Sequence, residues 1–223
     1  MNAASPGAGP DSELTELIAS GAARLGLALE PEQVSRLVSY LRLIARWNET
    51  YNLTSIRDPR AMATQHIVDC LATAAALQRR RPAADRRYLV DVGSGAGLPG
   101  VVVAISLPET EVVCVDSVGK KAAFITHAAA SLGVGNVSAL HARVERLRDR
   151  RFDVVASRAF ASLPDFVAET QHLLAENGEW LAMKGKAPAS EIAALRGVDA
   201  ETEPIVVPGL AANRCIVWMR RHE

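Results

Sequence analysis

An apolar, strand-like run that ends in an acid and then three spaced glycines constrains this chain more than any other feature. Tyr88–Val90 leads directly into Asp91–Gly100, which reads DVGSGAGLPG. Glycines at alternate positions allow φ > 0 and let a ligand approach bare backbone. Proline suits the first turn of a helix, where its missing N–H costs nothing. We therefore predict a buried strand that turns sharply into a helix around a ligand-binding loop.

The pattern after residue 87 alternates short β-rich runs with helical stretches. The predicted strands are Tyr88–Val92, Glu111–Val115, Val137–Leu140, Phe152–Ser157, Glu179–Lys184, Ile205–Val207 and Arg214–Met219. The predicted helices between them are Pro99–Leu107, Gly119–Leu132, Pro164–Ala175 and Pro188–Leu195. Alternation of this kind predicts a doubly wound α/β fold with a mostly parallel, seven-stranded sheet. The final two strands have no helix between them, so we expect an antiparallel hairpin at one edge.

The first eighty residues have a helical pattern. Two apolar stripes at helical spacing consist of Leu14, Leu17, Ile18 and Leu25, and of Val34, Leu37, Val38, Leu41 and Ile44 after Pro31. A third helix is predicted from about Pro59 to Leu77. Residues 1–10 are rich in Ala, Gly and Pro, which predicts a disordered tail rather than a signal peptide. We predict a helical segment over 11–82 and a single α/β unit over 83–223, forming one compact body.

The overall charge does not indicate a nucleic-acid partner. Lys plus Arg and Asp plus Glu are both 25, so the chain has no basic excess. Basic residues do cluster, at Arg79–Arg81 and among the arginines between 143 and 151. Either solvated faces or a phosphate-binding patch explains such clusters.

The cysteines and the hydropathy argue against a disulfide-bonded protein and against a membrane-spanning one. Cys70, Cys114 and Cys215 lie far apart in apolar settings, which predicts buried thiols in a reducing cytoplasm and neither disulfides nor a metal site. No apolar stretch approaches the roughly 20 residues that a membrane span needs.

Two cofactors compete for the glycine loop. Gly95–Gly100 satisfies the dinucleotide pattern G-x-G-x-x-G, although that pattern normally begins at the strand end and Gly95 lies four residues beyond Asp91. An Asp at the strand end followed by G-x-G-x-G resembles motif I of the S-adenosylmethionine (AdoMet) methyltransferases, in which the acid faces the cationic end of the cofactor. Asp116 ends the second apolar run, and its carboxylate would accept from ribose hydroxyls in either case.

Polar residues follow five consecutive predicted strands. Ligands of such sheets bind at the carboxyl ends of the strands. The segments found there are Asp91–Gly97, Asp116–Ser117, His141–Glu145, Ser157–Phe160 and Lys184–Lys186.

Several longer motifs make the chain resemble the bacterial small-subunit rRNA methyltransferase G family, also called glucose-inhibited division protein B. The matching segments run through residues 12 to 220 in the family's order. They are Trp47–Pro59 (WNETYNLTSIRDP), His66-x-x-Asp69, Asp91–Gly100, Asp116-Ser117-x-x-Lys120-Lys121, Arg143–Glu145, Ser157–Leu163 (SRAFASL) and Lys184-Gly185. The chain departs from the family at Cys70, where a Ser is usual.

The resemblance implies an AdoMet-dependent enzyme with the class I methyltransferase fold. Its product would be N7-methylguanine in the decoding-region loop of 16S rRNA, made on the small ribosomal subunit or an assembly intermediate by a cytoplasmic monomer. The residues that the resemblance assigns to the cofactor are Gly93, Gly95, Gly97, Leu98, Asp116, Val144, Glu145 and Arg158. Val144 and Glu145 match the pair that holds the adenine.

The implied chemistry needs no general base. Guanine N7 carries a lone pair and no proton, so in-line attack on a sulfonium methyl requires positioning alone, which is worth roughly 7–11 kcal/mol. Arg or Lys is the natural donor to the adjacent O6. The substrate-side candidates are Asn52, Arg57, His66 and Lys184, with His66 expected to be a hydrogen-bonded structural residue.

Two other functions remain open on the sequence. An NAD-dependent oxidoreductase would suit the glycine pattern, but no separate substrate domain with a hydride-acceptor His or Lys is evident. An AdoMet-binding regulatory or scaffold protein would need the same loop without turnover.

Overall fold

The computed structural model describes residues 10–80, 87–148, 150–158, 160 and 162–222. Residues 1–9 of the predicted tail lie outside the described residues, as does the predicted boundary between 82 and 83. The tail was predicted to include Pro10, but Pro10 begins the first helix, because a proline is readily accommodated in a first helical turn.

The front of the chain is helical, as predicted. Its elements are α1 (Pro10–Arg24), α2 (Pro31–Tyr51), α3 (Pro59–Met62), a π-helical segment (Ala63–Val68) and α4 (Asp69–Arg80). Helix α2 begins at Pro31, and Glu30 and Gln33 form a capping box at its start, in which the Gln33 side chain accepts from the Glu30 amide at 2.8 Å. The same side chain donates to the Ile105 carbonyl at 2.7 Å, which fixes α2 against the α/β region.

The α/β region contains seven strands. The strands are β1 (Arg87–Val92), β2 (Thr110–Asp116), β3 (Val137–His141), β4 (Phe152–Ser157), β5 (Leu174–Lys184), β6 (Val198–Ile205) and β7 (Arg214–Arg221). The helices are α5 (Gly100–Ser106), α6 (Gly119–Leu132), α7 (Leu163–Thr170) and α8 (Ala189–Ala194), with short 3₁₀ turns at Val144–Arg146 and Gln171–Leu173. Their alternation confirms the predicted doubly wound fold.

The sheet order is β3-β2-β1-β4-β5-β7-β6. The first five strands are parallel, and β7 pairs antiparallel with both β5 and β6. The predicted edge hairpin is therefore confirmed. The strand order reverses between β1 and β4, and an open α/β sheet places its ligand crevice at such a point.

The sixth strand was predicted at the wrong residues. The apolar run Ile205–Val207 was expected to form it, but the strand is Val198–Ile205, which pairs along its length with β7. Ile205 is the last residue of this strand; Val206 is 84% exposed and Val207 is buried against the helical segment, so the chain leaves the sheet after Ile205. A polar segment forms the strand instead because backbone pairing and ion pairs hold an edge strand that has one solvated face.

Helix α7 ends earlier than the predicted Ala175. Thr170 closes it, since its hydroxyl donates to the Phe166 carbonyl and accepts from the Trp180 indole. Strand β5 then starts at Leu174, which pairs with Phe152, five residues before the predicted Glu179. The local sequence carries no signal for this tertiary contact.

Both faces of the sheet are covered by apolar side chains. On one face the α2 stripe and α5 pack with Leu89, Val154 and Leu181; on the other, α7 packs with Val90 and Val155. The larger cluster thus includes residues from both the helical front segment and the sheet. All three cysteines are buried and free, as predicted. Within the described ranges, no helix is long and apolar enough to span a membrane.

The end of α4 is held to strands β5, β6 and β7 by Arg80. Its guanidinium bonds Glu179 at 2.9 Å and Glu201 at 2.6 Å, and it lies 5.0 Å from the centre of the Trp218 ring. Arg79 pairs with Glu203 at 2.6 Å and is about half exposed. These two arginines of the basic cluster at 79–81 therefore serve as structural contacts.

We expect Arg80→Ala to lower the free energy of unfolding by about 1–3 kcal/mol, because it removes charge-assisted bonds and a cation–π contact from a half-buried site. Arg79→Ala, the matched control, should cost less than about 1 kcal/mol, since exposed ion pairs contribute little. Urea denaturation of both variants measures this. Equal decreases in the free energy of unfolding for the two variants would show that Arg80 does not hold α4 to these strands.

Candidate functional site

The loop after β1 is the centre of the candidate site. Gly93, Gly95 and Gly97 have φ values of 69°, 59° and 83°, so the left-handed conformation predicted from their spacing is present. The fully buried Tyr40 of α2 donates its hydroxyl proton to the Ala96 carbonyl and braces the loop from below. The loop is therefore a rigid turn held by the helical front segment.

Asp91 lies beneath this loop. Its carboxylate is completely buried, and Oδ2 accepts from the Gly100 amide at 2.8 Å at the start of α5. Burial raises the pKa of Asp91 to about 7, an effect that the Gly100 amide and the Arg158 charge oppose. The sequence interpretation put this acid against the cationic end of a cofactor. In the structure its Oδ2 caps the start of α5, while its Oδ1 is buried without a hydrogen-bond partner among the described residues, so the predicted approach of the cofactor's cationic end stays a prediction.

Asp116 links the glycine loop to α6. Its Oδ2 accepts from the Gly95 amide at 2.9 Å, and its Oδ1 accepts from the Val118 amide at 2.8 Å. A carboxylate has about four lone-pair positions, so each oxygen retains room for one further donor such as a ribose hydroxyl. The residue is buried, with Lys121 3.8 Å away.

A first cavity of about 220 Å³ opens at the carboxyl ends of β1, β2 and β3. Of the cofactor residues predicted from the sequence, it brings together Gly93, Asp116, Val144 and Glu145. Phe160, from the connection after β4, also lines it. Space for a ligand continues along the loop: a Cβ added at Gly95 would meet no atom within 4 Å. These residues fit an adenosine group with its ribose beside Asp116.

Four of the predicted cofactor residues do not line that cavity: Gly95, Gly97, Leu98 and Arg158. Two of them, Gly97 and Leu98, lie beneath the loop. Gly97 is buried, and a Cβ there would lie 2.6 Å from Val101 and 3.0 Å from the Tyr40 hydroxyl. Leu98 is also buried in the core cluster below the loop. Both residues shape the turn by packing, and the sequence pattern alone does not distinguish that role from contact with a ligand.

A second cavity, of about 360 Å³, lies beside the π-helical segment. Its lining residues are Ile56, Gln65, His66, Asp69, Arg158, Met183, Lys184, Gly185 and Arg214. Both cavities open at the carboxyl edge of the sheet: Arg158, which follows β4, lines the second, and Phe160 lines the first. Arg158 was predicted in the cofactor set, and the structure places it in this neighbouring cavity.

The second cavity carries more cationic than anionic side chains. Asp69 accepts from Arg214 at 2.9 Å; burial raises the Asp69 pKa, and the Arg214 and Arg158 charges offset part of that rise. Lys184 donates to Glu191 at 2.9 Å and is mostly buried, so it is less available to a phosphate than its sequence position indicates.

His66 is a neutral member of this cavity. Burial, followed by the Arg158 charge, lowers its pKa from 6.5 to about 4. One ring nitrogen, Nε2, lies 2.8 Å from the Thr54 hydroxyl, and the Thr54 amide donates to Asn48 at 2.9 Å. The predicted hydrogen-bonded role of His66 is therefore present, and the π-helical segment presents its ring at the cavity as well. π-Helical insertions are frequent at functional sites.

The other two substrate-side candidates lie on the surface. Asn52 is exposed and ends α2 with a φ of 48°, and Arg57 is exposed in the following loop. Neither lines either cavity.

Sequence reasoning missed Tyr40, Asp69 and Arg214 as site residues. Asp69 belongs to the His-x-x-Asp motif, which was noted but given no role. Tyr40 sits within an ordinary apolar stripe, and Arg214 is the first residue of β7, so neither has a local signal.

Comparison with known proteins shows strong similarity over most of the chain. A family model described as rRNA small subunit methyltransferase G matches residues 33–210. The chain is 51% identical over 210 residues to the ribosomal RNA small subunit methyltransferase G of Methylibium petroleiphilum, covering 93% of this chain and 95% of that protein. The protein of the same name from Paracidovorax citrulli is 50% identical over 219 residues, with coverages of 93% and 90%.

Solved structures share the fold at much lower identity. The crystal structure of TrmN from Thermus thermophilus aligns with a TM-score of 0.56 and 18% identity, covering 71% of this chain and 53% of that one. This likeness supports the class I methyltransferase architecture alone.

We expect Gly95→Ala to abolish AdoMet binding while lowering the free energy of unfolding no more than an alanine at another left-handed glycine does. Gly133→Ala is the matched control, because Gly95 (φ 59°) and Gly133 (φ 63°) are both left-handed and a Cβ at either would meet no atom within 4 Å. Each alanine should cost roughly 1–2 kcal/mol of backbone strain.

Only Gly95 faces the proposed cofactor position, so only Gly95→Ala should lose binding in calorimetry. Wild-type affinity for AdoMet in Gly95→Ala would contradict the assignment of the loop.

Proposed function

Because the chain belongs to the rRNA small subunit methyltransferase G family, we propose that it methylates N7 of a guanine in the decoding-region loop of 16S rRNA. It is an rRNA methyltransferase, and AdoMet is its methyl donor. The oxidoreductase and scaffold alternatives are set aside by this membership. We further propose that it acts as a monomer in the cytoplasm, on the small ribosomal subunit or an assembly intermediate.

The observation that carries the choice of N7 is the chemistry of the second cavity. It adjoins the first cavity and combines cationic groups with a histidine of pKa about 4. Guanine presents two adjacent acceptors, N7 and O6, on one edge, and an arginine or lysine is the natural donor to O6. A nucleophile without a proton suits a cavity in which Asp69 is paired with Arg214 and His66 is a poor base.

The cofactor residues divide into two roles in this proposal. The amides around Gly93 and Gly95 border the cofactor and Asp116 accepts from its ribose hydroxyls, while Val144 packs on the adenine beside Glu145. Gly97 and Leu98 support the loop from beneath. When bound, AdoMet supplies an electrophilic methyl group on its sulfonium.

Arg158 is proposed to act between the two cavities. It lines the second cavity, and Phe160, two residues later in the chain, lines the first. From there its guanidinium is placed to donate to the guanine O6 while lying beside the cofactor. His66 and Lys184 line the guanine side, and Asn52 and Arg57 are proposed to meet RNA outside the cavities.

The mapped product tests this function. We expect small subunits from a strain lacking the enzyme to gain one methyl group from AdoMet, at a guanine that borohydride and aniline then cleave, because N7-methylation makes the ring labile. Primer extension should place the cleavage in the decoding-region loop. A methyl group on another atom, or on another RNA segment, would refute the proposal.

A second prediction concerns pH. Because the His66 pKa is lowered to about 4, the ring stays neutral from pH 6 to 8 and gains its proton only as the pH falls toward 4. We therefore expect kcat at saturating AdoMet and subunits to show no ascending limb from His66 between pH 6 and 8. The measurement compares wild type with His66→Ala. A limb that disappears in the variant, with AdoMet affinity unchanged, would establish a general base.

A further inference from the structure

An aromatic cluster reaches the surface at the edge of the sheet where the two cavities open. Trp47 lies 5.2 Å from Tyr51, one turn later on α2, and 5.5 Å from His127 of α6, measured between ring centres. Lys120 places its ammonium 6.0 Å from the centre of the Tyr51 ring. We call Trp47, Tyr51, Lys120 and His127 the aromatic platform.

The outer side of this platform is open. Tyr51 is 39% exposed, and Lys120 and His127 are also exposed. Among the described residues the large apolar side chains that are exposed are Tyr51, Tyr88, Val118 and Val206. Val118 immediately precedes α6, the helix that carries Lys120. The Tyr51 ring and the Lys120 ammonium are therefore both accessible to a ligand.

The inner side of the platform is rigid and continuous with the glycine loop. Trp47 packs edge-on against the fully buried Phe124 at 5.2 Å, and Phe124 stacks with Tyr40 at 6.3 Å. Tyr40 in turn bonds the Ala96 carbonyl. A ring held in this way loses little side-chain entropy when a ligand stacks on it.

The position of the platform points to the rRNA substrate. Tyr51 ends α2 just before the loop in which Thr54 contacts His66 and Ile56 lines the second cavity. Lys120 lies one residue into α6, which follows Asp116 of the first cavity. Tyr51 is thus five residues before a lining residue of the second cavity, Ile56, and Lys120 is three residues after one of the first, Ser117.

We propose that the aromatic platform stacks an unpaired base of the rRNA that flanks the methylated guanine, with Lys120 on the adjoining phosphate. Single-stranded RNA is bound in this way, by aromatic faces that take any base and by cations that follow the backbone. The inference rests on the proposed function, since it takes the rRNA of the small subunit as the partner.

The first experiment separates stacking from charge. Binding to small subunits from a strain lacking the enzyme is measured at several salt concentrations. Tyr51→Ala should weaken binding about 5- to 100-fold without changing the slope of log K against log salt. Tyr51→Phe, which keeps the aromatic ring, should bind as tightly as the wild type. Lys120→Gln should flatten the slope by about 0.7.

Tyr88→Ala is the matched control. Tyr88 is 48% exposed but lies at the amino end of β1, opposite the cavities, so this variant should bind as wild type. AdoMet affinity and the melting temperature should stay at wild-type values in Tyr51→Ala. If Tyr51→Ala binds subunits normally, or loses binding together with AdoMet affinity or folding, the platform is structural and the inference is wrong.

A second experiment identifies the partner. A photoreactive benzoylphenylalanine at position 51 should cross-link to 16S rRNA on intact subunits. A cross-link to a ribosomal protein, or none to RNA, would overturn the RNA assignment. Because wild-type methyl transfer is measured on the same subunits, failure of the platform is distinguishable from failure of the proposed function.

Discussion

The Asp116 carboxylate accepts hydrogen bonds from two connections at once, the loop after β1 through Gly95 and the start of α6 through Val118. These bonds bring the ends of β1 and β2 to one ligand position and fix how far apart the loops stand. Tyr40 holds the same loop from the opposite side through Ala96. The first cavity depends on this double anchoring, because a left-handed glycine turn without it would have many alternative conformations.

The second cavity depends on the helical front segment. The π-helical segment presents His66, and Asp69 at the start of α4 binds Arg214 of β7, so the front helices are tied to the far side of the sheet. Arg158 adds positive charge to this enclosed space and helps to lower the His66 pKa. The cavity therefore favours an electron-rich ligand edge and disfavours proton transfer through the histidine.

Aromatic packing connects the buried loop with the molecular surface. The rings from Tyr40 through Phe124 to Trp47 form a continuous path between the glycine loop and the exposed Tyr51. Residues that hold the cofactor loop and residues that face solvent thus share one rigid cluster. Such sharing explains why α2, which lies outside the α/β unit in sequence, is packed so closely on it.

Local sequence determined the alternating elements, the doubly wound sheet, the glycine turn and the acid at the end of β2, because periodicity and left-handed glycines are properties of short segments. The longer sequence motifs also indicated the family. Tertiary structure alone decided that β6 is the polar segment Val198–Ile205, that Asp91 is a buried cap and that Gly97 packs rather than faces the cavity. It also decided that Lys184 is paired with Glu191 and that Arg214 meets Asp69. These outcomes depend on partners that are distant in the chain, and short-range patterns carry no information about which charges or strands will meet.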